Sequence, residues 1–598
     1  MREGPNVVAD TIPSRLLEQA RLRPNAPAYK IRENGVWKAT SWAGYADEVK
    51  RVGRALIALG FEPGQHTCIL GFNRPEWTIF DVATMAVGGA PAGIYTTSSP
   101  EEVAYIAGHC EAPFMLVENA EQWEKVKARR ENLPALKNVI MMKGAPRIDD
   151  PLLLSWDEFL AKAESVSEEV FIQRLHALEP SGLATLIYTS GTTGPPKAVM
   201  LSHENLAWTA AKAREVTGLG PNDTSLSYLP LSHIAEQMFS IHGSISGGAC
   251  LYYAESIDAV PDNLKEVQPT VFFGVPRIWE KFHAGISAKL SEATGVKAKL
   301  VAWAMNVGRK VTAVRERGGE PEGLLALQYR LADKLIYSKL KEAIGLKNAH
   351  LTVSGAAPIA KEVLDFFASL DILILEVYGQ SEDTGPTSFN QRTRFRLGSV
   401  GPVFPGVEVK FSEEGEILVR GPNVFMGYLK DEAATAATLV DGWLHSGDLG
   451  ELRDGFLYIT GRKKDILITA GGKNIAPANI EGDFKNHELI NEAVVIGDRR
   501  KYLTVLLTLD PEAVEAFIEK NGGDASKAHE DPRIHASIQA HLDELNKKYA
   551  RVEQVKKFTI LPRNFTIEDG ELTPTLKVKR NKVSEHFAEE IEAMYAGD

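Results

Sequence analysis

The stretch from Thr189 to Lys197, Thr-Ser-Gly-Thr-Thr-Gly-Pro-Pro-Lys, constrains this chain more than any other. It lies between two short apolar runs, residues 183–188 and 198–201, each of strand length. A strand-to-strand turn is therefore expected. The hydroxyls of Thr189, Ser190, Thr192 and Thr193, the permissive backbone of Gly191 and Gly194 and the ammonium of Lys197 together suit a polyanion, with phosphate the obvious guest. A P-loop nucleotide hydrolase is disfavoured, because the Walker loop leads from its lysine straight into a helix. Here the lysine follows Pro195 and Pro196 and the chain continues extended. Alone, such a composition describes an ordinary solvated loop, so the phosphate reading needs support from distant segments.

A chain of 598 residues exceeds what one hydrophobic core supports, and a multidomain enzyme is expected. No run approaches the ~20 apolar residues of a spanning helix. Residues 1–20 carry Arg2, Glu3, Asp10 and Arg15 with no apolar centre, unlike a secretory signal, so cytoplasmic residence is expected. Cys68, Cys110 and Cys250 are far apart in sequence and never in Cys-x-x-Cys spacing; they read as small buried hydrophobes, not a disulfide framework or zinc site. A net charge of −12 argues against nucleic acid as a partner, and the basic cluster at 577–582 reads by itself as a solvated face.

Along the chain the pattern is α/β. Residues 45–59 and 77–87 read as helices, 67–70 and 114–117 as strands, and Ser99-Pro100-Glu101-Glu102 as a helix start whose acids complement the dipole. Residues 276–318 and 322–344 read as long helices, the second with Leu324, Leu327, Leu331, Leu335 and Tyr337 or Ser338 as one buried stripe. Residues 407–411 with 416–420, and 449–452 with 456–459, read as hairpins of a β-rich module. After Gly461 come a strand at 466–469, a Gly471-Gly472 turn, a helix primed by Pro477 and strands at 493–496 and 502–509. The expected architecture is a large N-terminal domain of α/β subdomains plus the β-rich module (1–461), a charged hinge (462–465) and a smaller, mobile α+β domain (466–598).

Three further segments supply nucleotide-binding chemistry. Tyr378-Gly379-Gln380-Ser381-Glu382 follows an apolar run and offers an aromatic face for a base and a carboxylate for a hard cation. Gly355 and Ala356, after Val353-Ser354, offer small residues against which a flat ring lies, or simply a tight turn. Asp448, flanked by Gly447 and Gly450, is placed to accept from two ribose hydroxyls, or is a plain turn aspartate.

In this order the motifs resemble the acyl-adenylate-forming (AMP-binding) superfamily over most of the chain. The resemblance implies that residues 189–197 form the phosphate loop, Tyr378 to Glu382 the adenine and magnesium motif, and Asp448 with Arg462 the ribose contacts. It makes 461–465 the hinge, Gly471-Gly472-Lys473 the thiol-facing loop and Lys577 the mobile catalytic lysine. The helical region 276–344, Leu229-Pro-Leu-Ser-His233-Ile-Ala-Glu236 and the Lys-Lys-Asp hinge are similar to long-chain fatty acyl-CoA synthetases. The runs around Tyr378 and Gly471 lean towards the bubblegum-like branch. Ser381 stands where many relatives have Thr, and Lys473 where many have Glu.

The implied reaction joins a fatty acid to AMP with loss of pyrophosphate, then transfers the acyl group to coenzyme A. Lys577 would act as an electrostatic clamp between two anions. Mg²⁺ would sit on Glu382 and Thr189, with Thr193 and Lys197 holding pyrophosphate. His233 is assigned to the wall of the acyl pocket, and His203 and His242 to structure. A ligase that loads a carrier protein, and a non-catalytic binding protein on the same scaffold, are the rival readings. Long acyl chains partition into membranes, which leaves peripheral membrane contact open, although no segment reads as an amphipathic anchor.

Overall fold

The computed structural model describes residues 9–189, 195–470, 473–573 and 576–596. Two eight-stranded sheets build the large domain. In one, strands His66–Leu70, Ala90–Ile94, Phe114–Val117, Asn138–Met141 and Leu153–Ser155 run parallel. Ala90–Ile94 and Phe114–Val117 are buried at every position, as a sheet covered on both faces requires. Leu183–Thr189 joins this sheet beside Ala90–Ile94 and folds back as an antiparallel hairpin onto Lys197–Ser202, pairing Thr189 with Lys197. The two expected strands are thus present and paired, while the residues between them, Ser190, Gly191, Thr192, Thr193 and Gly194, lie outside the described residues.

The second sheet runs Thr224–Ser227, Val271–Gly274, Leu351–Ser354 and Ile374–Tyr378 in parallel, with antiparallel edges at Val36–Ser41 and Ser388–Phe389. Asn73, in the loop after His66–Leu70, donates to Ser227 Oγ at 2.8 Å and to the Leu229 carbonyl at 2.7 Å. One amide therefore ties the carboxyl ends of strands from both sheets together. The β-rich module follows, with Glu408–Phe411, Glu416–Arg420, Trp443–Arg453 and Phe456–Arg462 in antiparallel order. Its last hairpin turns at Asp454-Gly455, both at positive φ, as a two-residue hairpin loop demands.

In the small domain Ile490–Ile496, Leu503–Leu509 and Val555–Ile560 form one sheet. Strand alternation divides its side chains. Val495, Val505 and Leu507 pack with Phe484, Ile534 and Ile538, whereas Val494 and Leu506 pack with Val583, Phe587 and Ile591. Helices thus cover both faces. The small domain docks on the large one through Arg277, whose Nη2 lies 2.6 Å from Asn491 Oδ1 and 2.9 Å from Asp510 Oδ2, and through Lys548 on Glu362 at 2.9 Å.

Several expectations are corrected. The helix read at 276–318 is two, Pro276–Ser291 and Gly295–Arg315, because Gly295 takes a φ of 57° at the break. The second long helix is Gly323–Ala332, a π-turn at Asp333–Tyr337 and Ser338–Ala343. Its expected buried stripe is largely wrong: Leu324, Leu327 and Leu331 are 71%, 62% and 50% exposed. The helix packs instead on Leu325, Tyr329, Ala332, Ile336 and Tyr337 against Ala304, Val307 and Val311. Helical periodicity locates apolar stripes, and this helix carries two of them. The strand read at 466–469 shrinks to Leu467–Ile468. Cys68 and Cys110, distant in sequence, meet as free buried thiols with sulfurs 3.5 Å apart. Among the described residues no helix is long and apolar enough to cross a membrane.

Candidate active site

The site forms where strands of both sheets end, as the carboxyl edge of an α/β sheet favours. Tyr378 closes Ile374–Tyr378 and donates its hydroxyl to Asp448 Oδ2 at 3.0 Å. Gln380 Nε2 donates to the same oxygen at 2.6 Å and to the Ser446 carbonyl at 2.7 Å. Asp448 Oδ2 is thereby fully used, and Oδ1 faces Arg462 Nε at 3.5 Å. Strand pairing explains that proximity, since Asp448 and Arg462 are direct partners in the hairpin. The second carboxylate oxygen thus stands beside a guanidinium. Tyr378 is only 8% exposed, so a base would meet the rim of its ring.

Beyond Tyr378 the chain turns too tightly for any side chain at Gly379, where a Cβ would lie 1.4 Å from the Gly385 carbonyl oxygen. A 3₁₀ turn over Ser381–Asp383 then presents Glu382. Its Oε1 accepts from Tyr428 at 2.8 Å. The Lys197 ammonium stands 5.0 Å from the centre of the Tyr428 ring and 3.7 Å from Asp431 Oδ2. Tyr428 pairs through its backbone with Val199. One tyrosine therefore couples the hairpin of Leu183–Thr189 and Lys197–Ser202 to the acidic turn. At the other side Gly355 and Ala356 follow Leu351–Ser354; a Cβ on Gly355 would meet Val377 at 2.5 Å, and Ala356 sits at a φ of 67°. Thr189 is the last described residue before the loop, its Oγ1 3.5 Å from the Lys197 carbonyl.

Lys577 reaches this cleft from the small domain. It sits in a tight loop closed by the bridge of Leu572 to Val578, with its N–H on Thr573 Oγ1 at 3.0 Å and its carbonyl accepting from Thr573 N at 2.8 Å. Beneath the loop buried Glu571 holds Arg563 through both guanidinium nitrogens at 2.7 Å and His586 at 3.0 Å. Leu576, at a φ of 60°, turns the chain so that Lys577 follows. The Lys577 residue is exposed to solvent. Enclosure lowers its pKa, helped by the neighbouring Arg462 charge, while Asp448 and Glu382 pull it back up. These three groups and Lys577 thus share one electrostatic environment. Lys473 lies on the small domain, its N–H 3.2 Å from Thr469 Oγ1; Gly471 and Gly472 fall outside the described residues.

His233 caps the short helix Ile234–Gln237, with Nδ1 accepting from Ala235 N at 3.1 Å. The proton is left on Nε2. Burial, with Lys577 nearby, depresses its pKa to about 4, so a neutral imidazole lines the cleft. His203 and His242 are buried with pKa values depressed to about 4 and about 3, consistent with packing roles.

Sequence reasoning missed Tyr428, Asp383 and the seat of Glu236. Asp383 is fully buried, accepts from Gln380 N at 2.6 Å and from Thr387, and is pushed up to about 8 by burial. Glu236 accepts from Ser227 at 2.7 Å and Ser240 at 2.6 Å, and burial also raises it to about 8. The signals were a carboxylate beside another in Ser381-Glu382-Asp383, and an acid inside an otherwise apolar run.

With that geometry in hand, comparison with known proteins is informative. A family model described as AMP-binding enzyme matches residues 16–429, and one for the AMP-binding enzyme C-terminal domain matches 464–598. The long-chain-fatty-acid–CoA ligase ACSBG2 of Xenopus laevis is 38% identical, covering 95% of this chain and 81% of its own. The human ACSBG2 is 37% identical over 98% and 92%, and FadD15, a long-chain-fatty-acid–CoA ligase of Mycobacterium bovis, 36% over 98% and 97%. Among solved structures, an anthranilate CoA ligase holding anthranoyl-AMP superposes with a TM-score of 0.73 at 19% identity, over 98% of this chain and 99% of that one. The adenylation domain of a carboxylate reductase from Mycobacterium chelonae gives 0.72 at 22%, over 99% and 92%. The shared fold, the two family matches and relatives alike over nearly the whole length lead to one conclusion: this chain belongs to the AMP-binding enzyme family.

Proposed function

We propose that this chain is a long-chain fatty acid–CoA ligase. The observation that carries the reading is the convergence of Glu382 and Asp448 of the large domain and Arg462 of the hinge with Lys577 of the small domain. The names borne by its relatives supply the substrate class. In the first half-reaction the fatty carboxylate attacks the α-phosphorus of ATP, the bond to pyrophosphate breaks and acyl-AMP forms. In the second the coenzyme A thiol loses its proton and attacks the acyl carbon, and AMP leaves.

Two anions must meet in the first step, and the Lys577 ammonium is the group placed to screen them; Lys197 and the hydroxyls of 189–194 would hold the pyrophosphate. Asp448 and Arg462 orient the ribose, and Tyr378, Gly379, Gln380, Ser381, Gly355 and Ala356 the base. His233, neutral with its proton on Nε2, walls the acyl carboxylate's side of the cleft. The free Glu382 oxygen and the Thr189 hydroxyl are hard donors that suit Mg²⁺, which binds through few protein oxygens and several phosphate ones. When bound, it would neutralise the phosphates. Residues 462–465 form the hinge between domains 1–461 and 466–598, and its rotation brings residues 471–473 to the thiol.

Exchange of labelled pyrophosphate into ATP, run across acids from acetate to very long chains, tests the first step, and acyl-CoA formation tests the second. Exchange that rises with chain length, followed by thioester with free coenzyme A, is expected. Exchange without thioester would instead favour delivery to a carrier protein.

A further inference from the structure

Lys577 follows a strained piece of backbone. Leu576, immediately before it, has a φ of 60°, and its side chain is 64% exposed, so packing does little to offset the left-handed conformation. Hydrogen bonds around the loop hold it instead. Thr573 and Lys577 bond to each other in both directions, and Leu572 bridges to Val578. Both flanks then converge on Glu571, whose N–H donates to the Thr566 carbonyl at 3.1 Å and whose carbonyl accepts from Lys579 N at 2.7 Å. Its fully buried carboxylate takes four donors: Arg563 Nη2 at 2.7 Å and His586 Nδ1 at 3.0 Å on Oε1, Arg563 Nη1 at 2.7 Å and Thr566 N at 3.1 Å on Oε2. Every acceptor position is filled, and the charge is met by a two-pronged guanidinium.

Arg563 is fixed in turn. Its guanidinium lies 5.2 Å from the centre of the Phe587 ring, and Nη1 also donates to the Asn564 carbonyl at 3.0 Å. Asn564 Oδ1 accepts from Asn491 at 2.9 Å, and Asn491 is the residue that meets Arg277 of the large domain. A continuous run of hydrogen bonds thus joins the domain junction to the lysine loop.

We propose that Glu571 is a positioning residue for adenylation: clasped by Arg563, it holds the strained loop in the shape that carries the Lys577 ammonium toward Asp448 and Glu382. This role rests on the ligase reading of the chain. Glu571 is buried beneath the loop and acts only through Lys577. Loop and clasp both belong to the small domain and move together, so thioester formation, which does not use the lysine, does not need the clasp.

Glu571→Gln keeps the size of the side chain and removes the charge opposite Arg563. A displacement of about 1 Å at a reacting group costs up to about a hundredfold, and the loss cannot exceed that of deleting the lysine. Glu571→Gln and Arg563→Met should each slow acid-dependent pyrophosphate exchange by about tenfold or more, while acyl-CoA formation from synthetic acyl-AMP changes by less than about threefold. Placed on Lys577→Ala, either change should slow exchange by less than about twofold further, because the group it positions is already gone. Arg563→Lys, which keeps the charge and loses the two-pronged bond, should fall between wild type and Arg563→Met. Intact thioester formation shows that a variant folds; should Glu571→Gln fail to fold, Arg563→Met, at a side chain 43% exposed, carries the same test. Exchange at the wild-type rate, equal loss of both half-reactions, or a further large loss on top of Lys577→Ala overturns the role of Glu571 and leaves the ligase reading standing. Absence of exchange from the wild-type chain with every acid overturns the ligase reading and this role with it.

Discussion

Replacing Lys577 with Ala tests the division of labour between the two half-reactions. A cation about 4 Å from an anion, at an effective dielectric of about 20, is worth about 4 kcal/mol. In this cleft the gain is smaller, because Asp448 and Glu382 already draw on the charge and Arg462 opposes it. A net contribution of about 3 kcal/mol to the adenylation transition state is reasonable, which corresponds to a loss of about two orders of magnitude in rate. The loop bearing Lys577 is fixed by Thr573 and by the Glu571, Arg563 and His586 cluster, so truncating the side chain leaves the fold intact. Acid-dependent pyrophosphate exchange measures the first half-reaction, and release of acyl-CoA from synthetic acyl-AMP the second. Exchange should fall by about a hundredfold while thioester formation changes by less than about threefold. Equal losses in both, or a loss in exchange below about fivefold, would refute the assignment.

Arg277 bonds Asn491 and Asp510 across the domain junction, and a partly exposed pair of this kind is worth about 1 kcal/mol. Arg277→Ala should therefore slow pyrophosphate exchange by about fivefold and spare thioester formation from acyl-AMP; parallel slowing of both would mean that the contact does not favour the adenylating arrangement. Glu236, raised to about 8 by burial, is protonated in the folded chain where the unfolded one has ionised it, so stability falls as pH rises from about 4 to about 8. Below about 6.5 the buried histidines oppose that trend, since each must gain a proton on unfolding. Melting temperature should accordingly drop between pH 6.5 and 8, and Glu236→Gln should remove about 2 kcal/mol of that decline; an unchanged slope in the variant would show that Glu236 is ionised in the fold. Gly379→Ala places a Cβ on the Gly385 carbonyl and should yield insoluble or inactive protein, whereas Gly285→Ala, on an open helical face, should be neutral or stabilise by up to about 1 kcal/mol; a well-folded, active Gly379→Ala enzyme would contradict the close packing of that turn.

Much of the architecture was legible in the sequence because it is written in short-range chemistry. The run of 183–201 specifies two strands and a turn by its apolar residues and its Ser, Thr, Gly and Pro interruption, and the structure pairs Thr189 with Lys197 accordingly. Ser99-Pro100-Glu101-Glu102 starts a helix by capping and charge, and a capping box is what forms there. The hairpin through Asp454-Gly455 follows from two residues that tolerate positive φ. Asp448 and Glu382 were singled out from their own segments, whereas Arg462 and Lys577 were identified only through the resemblance carried by the whole set of motifs.

Only the folded chain decided which groups meet and which surfaces are covered. Tyr428 reaches Glu382 from 46 residues away, and Asn73 reaches Ser227 across 154, distances along the chain at which no periodicity or spacing carries information. The helix at 323–332 had two apolar faces, and selecting between them required knowing where Val307 and Val311 would stand. The raised pKa values of Asp383 and Glu236 likewise belong to their surroundings, since ionisation responds to the water removed by packing from every side. Local order is set by neighbours in sequence, whereas electrostatic environment and burial are set by neighbours in space, and the candidate site is made of the second kind.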